Sequence, residues 1–297
     1  MKKVTLLCAL VLASFGAKAQ GFYADFNVGY GLGLPGNVLG VKTHEDNING
    51  VITKTSSNIK GSVGQGLTLQ LTPGYMFTEH IGVELGINYF LGARVTAVEN
   101  TSSITLDNQG IDNEDFTYDQ TSVQSNQLRL IPSVIISTGV SNKVSGYVKA
   151  GIIMPVLGLT RAYVEGEIAT LNGSDISRDK TYSELEVRGS FSLGFRGAVG
   201  LNYNITDKLS VFGEIYVTTL NIRQKNRTLV SQKYNDVEVS GNIPVYNIEI
   251  EYVKELNENS NNSAYNSNYK TDLPKQELFA KTNFDQFGLQ VGVKYNF

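Results

Sequence analysis

Gln290-Val291-Gly292-Val293-Lys294-Tyr295-Asn296-Phe297 closes the chain and decides its fold. Val291, Val293, Tyr295 and Phe297 alternate with Gln290, Gly292, Lys294 and Asn296. A period of two puts the first set on one face of a β-strand and the second on the other. A greasy strand face finished by two aromatics suits a strand that meets lipid better than one in a soluble sheet.

Seven earlier segments carry the same alternation. Phe22, Ala24, Phe26, Val28, Tyr30 and Leu32 oppose Tyr23, Asp25, Asn27, Gly29 and Gly31. Leu67, Leu69, Leu71, Pro73, Tyr75 and Phe77 oppose Thr68, Gln70, Thr72 and Gly74. Ile81 to Leu91 has Glu84, Gly86 and Asn88 on its second face. Leu128 to Ile136 sets apolar residues against Arg129 and Ser133, with Ile131 and Ile135 blurring the contrast. Val144 to Met154 opposes Lys149 and Gly151, and Phe191 to Tyr203 opposes Ser192, Gly194, Arg196, Gly200 and Asn202. Leu209, Val211, Ile215 and Val217 oppose Ser210, Glu214 and Thr218, and the last strand starts near Asp285. Each segment is long enough to cross a bilayer as a tilted strand of about 9–11 residues. Pro73 and Pro132 each remove a ladder donor and fit best near a rim or bulge.

The links between these segments alternate in length. Short ones lie at 78–80, 139–143 and 204–208, and long ones at 35–62, 93–124, 158–187 and 223–283. That parity predicts an all-β fold: a transmembrane antiparallel up-and-down β-barrel of eight strands, with short turns on one side and large external loops on the other. Both termini then lie on the side of the short turns. Ten strands are the alternative, if the alternating stretch Val245–Val253 crosses the membrane and turns Glu249 and Glu251 into the lumen.

Met1-Lys2-Lys3, the apolar run Val4–Phe15 and the small-x-small Ala17-Lys18-Ala19 read as a signal peptide over residues 1–19, cleaved between Ala19 and Gln20. The barrel domain is expected over 20–297. The single cysteine, Cys8, lies in the segment to be removed and follows Leu7, which argues against lipidation there. The mature chain then has no thiol for a disulfide, metal site or nucleophile. Removing Lys2, Lys3 and Lys18 takes the formal charge from −3 to −6, the opposite of a nucleic-acid footprint.

Gln290, Gly292, Tyr295 and Phe297 stand in an order that resembles the signal by which outer-membrane barrels are recognised for assembly. Gln20 after the cleavage site resembles the start of exported Bacteroidetes proteins. Together with the loop parity, these features resemble the small OmpA/OmpX-type outer-membrane β-barrel family across almost the whole mature chain. The resemblance implies a Gram-negative cell outer membrane and periplasmic termini. It implies outer-membrane lipid and lipopolysaccharide as surroundings, and the barrel-assembly machinery as a partner in biogenesis. With nothing after Phe297, a peptidoglycan-binding periplasmic domain like that of OmpA is not expected.

An eight-stranded barrel has just enough interior for side chains to fill it. The second faces place Asp25, Glu84, Arg129, Lys149, Arg196, Glu214 and Lys294 inside. Such charges should pair, because an unpaired buried charge costs several kcal/mol. One reading is a gate whose ion pairs switch partners; the other, favoured, is a permanently closed core. The resembled family includes members with interior ion networks.

From Arg94 to Asp119 six acids face one arginine, and Asp112-Asn113-Glu114-Asp115 offers oxygen ligands without the spacing of a dedicated Ca²⁺ loop. No metal or cofactor is expected. Asn257–Tyr269 is Asn/Ser-rich and expected to be mobile. Val237, Val239 and Val245–Val253 suggest a hairpin rising above the membrane, whose edge could pair with a foreign strand.

Hydrolytic or acyl-transfer chemistry needs a base beside a nucleophile. Of two histidines, His80 lies in a short turn and only His44 lies in an external segment. Gly29-Tyr30-Gly31-Leu32-Gly33 has no following helix and so fails as a nucleotide-binding turn. The sequence thus points to a non-enzymatic surface or envelope-structural protein, adhesin-like, whose external loops meet an outside protein or surface ligand. A narrow porin-like channel is the alternative, and a lipid-modifying enzyme using His44 a weaker one.

Overall fold

The computed structural model describes residues 21–108, 111–139, 143–172 and 175–297. The expected signal peptide, with Ala19 and Gln20, lies outside the described residues, as do the side chains of Asp107, Asp112 and Glu114. The described chain is all-β apart from a 3₁₀ turn and one helical turn, Val245–Ile248.

The strands are β1 (Phe22–Gly33), β2 (Val38–Ile48), β3 (Val51–Lys60), β4 (Gly66–Met76), β5 (Ile81–Gly92) and β6 (Val95–Asn108). Next come β7 (Ile111–Ser137), β8 (Val144–Asn172), β9 (Asp175–Gly189), β10 (Gly194–Asn204), β11 (Leu209–Thr219) and β12 (Asn221–Tyr234). The last are β13 (Val237–Glu238), β14 (Glu249–Val253), β15 (Lys275–Leu278), β16 (Lys281–Asn283) and β17 (Gln286–Asn296).

Seventeen strands is about twice the expected number, and the excess lies in the segments read as loops. Backbone pairing separates two parts. β1, β4, β5, β7, β8, β10, β11 and β17 pair antiparallel in that order, and β17 returns to β1, so the ladder closes on itself. The ring removes every sheet edge among its members. The alternation reads directly in β1: Phe26, Val28, Tyr30 and Leu32 are exposed on the outside, while Tyr23, Asp25 and Asn27 are buried within.

The turn at 77–80 is closed by Phe77 N–H to Ile81 carbonyl at 2.8 Å, and that at 205–208 by Ile205 N–H to Leu209 carbonyl at 2.9 Å. Gly21 and Asn296 share this end of the ring: Met76 N–H reaches the Gly21 carbonyl and Asn296 N–H the Lys208 carbonyl.

β7 and β8 are 27 and 29 residues long, each about 90 Å of extended chain, and run on well beyond the opposite end of the ring. There they meet β6 and β9, and the sheet continues through β2 and β3 on one side and β12 and β14 on the other. The segments 35–62, 93–124 and 158–187 are therefore mostly paired strand, and 223–283 is so in part. Alternating sequence at 95–108 and 160–189 is amphipathic on a smaller scale, and no lipid-length apolar run marks it as strand.

Three local expectations change. Val245–Val253 is half helical turn and half strand, because Pro244 leads into the turn and Tyr246 buries its ring, bonding the Ser263 hydroxyl. β14 then pairs with β12 and β15 outside the ring, so Glu249 and Glu251 do not enter the lumen and the ten-strand alternative falls. Asn257–Tyr269 is tied down: Asn261 Nδ2 donates to the carbonyls of Lys270, Leu273 and Pro274, and Asn262 Nδ2 to that of Gln276.

Pro73 and Pro132 sit within β4 and β7, facing outward, and not at a rim. Pairing lapses beside each: β4 with β5 between Leu71 and Gly74, and β7 with β8 between Leu130 and Ser133. The missing N–H is accommodated by a gap in one ladder while the other continues.

Candidate functional site

The interior of the ring is built from alternate residues of all eight strands. Lys149 on β8 is its centre. Its Nζ lies 3.1 Å from Glu84 Oε1 on β5, 3.2 Å from Glu214 Oε2 on β11 and 4.0 Å from Asp25 Oδ2 on β1. The four side chains are 1–9% exposed, so their mutual attraction is little screened. Tyr23 donates its hydroxyl to the second oxygen of Glu84, Oε2, at 2.9 Å, and Tyr147 to Glu214 Oε2, the oxygen that Lys149 also meets, at 3.1 Å.

A second layer hangs from Glu214. Arg196 Nη2 lies 3.6 Å from Glu214 Oε1 and donates to Gln290 Oε1 at 2.7 Å, while Gln290 Nε2 donates to Glu214 Oε1 at 2.7 Å. The Arg196 guanidinium stacks 3.9 Å from the centre of the Tyr216 ring.

The structure thus brings Asp25, Glu84, Lys149, Glu214 and Arg196 together. It places the other two interior cations apart. Lys294 Nζ lies over the Tyr23 ring at 3.7 Å and lines a cavity of about 520 Å³ at the end of the ring that carries the short turns. Arg129 donates to Gln127 Oε1 at 2.8 Å and lies 4.0 Å over the Phe90 ring, with no carboxylate in ion-pair range among the described residues.

Sequence reading placed Tyr23 on the inner face but missed Tyr147, Phe212 and Tyr216, although a signal for them exists. Tyr23, Tyr147, Phe212 and Tyr216 stand directly across the ladder from Gly74, Gly200, Gly292 and Gly288. Each glycine leaves the space its partner ring fills. The apolar residues that blurred β7 are also inside: Ile131 packs with Val63, Phe90, Ile153, Leu220, Ile222 and Phe284 into a buried cluster, and Ile135 with Tyr147 and Phe212 into another.

Of the assembly-signal residues, Gln290 and Gly292 serve the interior, Gln290 in the Arg196–Glu214 bridge and Gly292 beneath Phe212. Tyr295 and Phe297 face outward with their rings edge to face at 5.2 Å.

The external sheet holds a second cavity, of about 420 Å³, lined among others by Leu39, Val123, Ala162, Val187, Arg227 and Tyr252. Burial pushes the Tyr252 phenol up, and Arg227 opposes that shift. His44 lies in β2 with both ring nitrogens engaged, Nε2 with Asp46 at 2.9 Å and Nδ1 with Thr101 at 2.8 Å. The Asp46 carboxyl is held below its usual range, first by the Ser103 hydroxyl and then by His44. No group of metal-ligating side chains forms among the described residues.

Comparison with known proteins finds no match among curated sequences. Among solved structures, the crystal structure of Neisserial surface protein A (NspA) is similar at a TM-score of 0.36 and 10% identity, over 94% of this chain and 100% of that one. The family described as outer membrane protein beta-barrel domain matches residues 5–243, and the chain belongs to that family.

Proposed function

We propose that this chain spans the outer membrane as a closed eight-stranded barrel with periplasmic termini, and that it works through its external sheet as a non-enzymatic surface or adhesin-like protein. The observation that carries this reading is the contrast between its two halves. Inside the ring, side chains as large as Arg129, Tyr216, Phe90 and Phe284 are at most 1% exposed, as expected of a filled post. Outside it, β7 and β8 extend far beyond the length a bilayer needs and carry a broad sheet into solution. Elements of that size serve display better than permeation.

The exposed band of Phe26, Val28, Tyr30, Leu289, Val291 and Val293 supports lipid as the surroundings of the ring. An outside protein or surface ligand would meet the edge of β3 or the cavity beside Arg227. The barrel-assembly machinery would read Tyr295 and Phe297 during biogenesis.

Planar-bilayer recording of the refolded chain tests the closed barrel. Absence of steady unit conductance is expected; steady conductance through single barrels would favour the narrow-channel alternative and overturn the post. His44→Ala is expected to leave the chain's surface role intact, and loss of a lipid-modifying activity in that variant would restore the enzyme reading.

A further inference from the structure

The interior charges do not balance, and the imbalance has an address. Asp25, Glu84 and Glu214 gather around Lys149, and Glu214 also serves Arg196. Arg129 is fully buried and has only Gln127 and the Phe90 face. A guanidinium does not shed its proton in a protein, so the positive charge stays. A cation–π contact of about 2 kcal/mol offsets only part of the several kcal/mol that an uncompensated buried ion costs.

Unsatisfied donors lie around these two arginines. Arg129 Nη2, Arg196 Nη1, Thr218 Oγ1 and Gln286 Nε2 are buried and make no hydrogen bond to protein. Their positions connect: Arg196 stands across the ladder from Thr218, and Thr218 across from Gln286. The Gln286 side chain and the Tyr216 hydroxyl both press on Gly31, and the Tyr216 ring lies under Arg196. Arg129 joins this layer through Phe90, which stands across the ladder from Thr68, itself across from Gly29, the inward residue of β1 next to Gly31. The apolar cluster around Phe90 and Phe284 lies against this layer and limits its access to water.

Buried free donors on two fixed cations, one of them without a carboxylate partner among the described residues, match one ligand chemistry. We propose that the layer bounded by Arg129, Arg196, Thr218 and Gln286 is a binding site for a small monovalent inorganic anion of chloride size. The unsatisfied acceptors Asn88 Oδ1 and Gln286 Oε1 belong to water, so the anion is held partly hydrated. Because the site lies inside the filled ring, the anion is taken up as the barrel closes and leaves slowly. It completes the charge balance of the interior and is a structural ligand, independent of whatever the external sheet binds.

The test is to refold the full chain with bromide as the only halide, crystallise it, and collect diffraction at the bromine edge. An anomalous peak among Arg129, Arg196, Thr218 and Gln286 is expected; ordered water there without bromide overturns the site. In parallel, unfolding rates are compared after refolding in chloride and in gluconate at equal ionic strength. Chloride at ten times its Kd should lower the unfolding rate about tenfold. Arg129→Met should remove that difference, and equal rates for the unsubstituted chain in the two salts also overturn the proposal. Should Arg129→Met fail to fold, the bromide peak in the unsubstituted chain decides.

Discussion

The Tyr216 ring lies against the backbone of Gly288, its partner across the β11–β17 ladder, where any Cβ would collide with the phenol. The same arrangement joins Tyr147 to Gly200 and Tyr23 to Gly74. These rings fold flat over the wall of the ring and leave room for the charged groups at its centre. Gly288→Val should therefore destabilise by about 1–3 kcal/mol through overpacking. Urea unfolding in lipid vesicles measures it, and Tyr216→Ala in the same chain should return part of the loss.

Lys149 answers three carboxylates, so its removal should cost more than that of any one of them. Lys149→Met leaves Glu84 and Glu214 buried without their cation and should cost about 3–5 kcal/mol. Adding Glu84→Gln should recover part of that by removing one of the stranded charges. A double-mutant cycle on unfolding midpoints checks the coupling, and strict additivity would show that the ion pairs carry no shared energy.

Outside the membrane, Glu238 gives a pH-dependent contact. The Ser240 hydroxyl, then that of Ser231, then the Gln232 N–H hold its carboxyl at about 2, well below the usual carboxylate range. A pKa depressed in the folded chain means that the stabilisation is complete above the unfolded value near 4.5 and fades as pH falls through about 2. The amide of Gln232 should thus keep its full protection from hydrogen exchange down to about pH 4.5 and lose it progressively as pH falls to about 2. Ser231→Ala should move that loss to higher pH.

Asn261 makes the largest share of the side-chain bonds that hold the 257–274 loop, with Asn262 beside it. Its Nδ2 serves three carbonyls and its Oδ1 accepts the Lys270 N–H at 2.6 Å. Asn261→Ala should leave those backbone groups unsatisfied, at about 1–3 kcal/mol, and open the loop locally. Limited proteolysis should then cut between Asn257 and Tyr269 in the variant and spare the unsubstituted chain, with the ring intact in both.

The alternation of Phe22–Leu32 or Val291–Phe297 was legible because lipid on one side and a packed interior on the other impose a strict period of two. The external strands were not legible as strands. β6, β8 beyond Pro155 and β9 face water on at least one side, so nothing forces their apolar residues into long runs. Asn257–Tyr269 has a composition typical of solvated loops, and only the positions of distant carbonyls turn Asn261 into a clamp.

The sequence by itself determined the eight ring strands, the side of the sheet each residue faces, and hence which charges are interior. Those follow from local periodicity, which any single strand displays. Only the tertiary structure decided that Lys149 takes three carboxylates while Arg129 takes none, and that β7 and β8 continue into an outer sheet. The pairing of interior charges depends on strand register and barrel stagger, and both are set by contacts between separate segments, from tens of residues apart for β5 and β7 to more than 250 for β1 and β17.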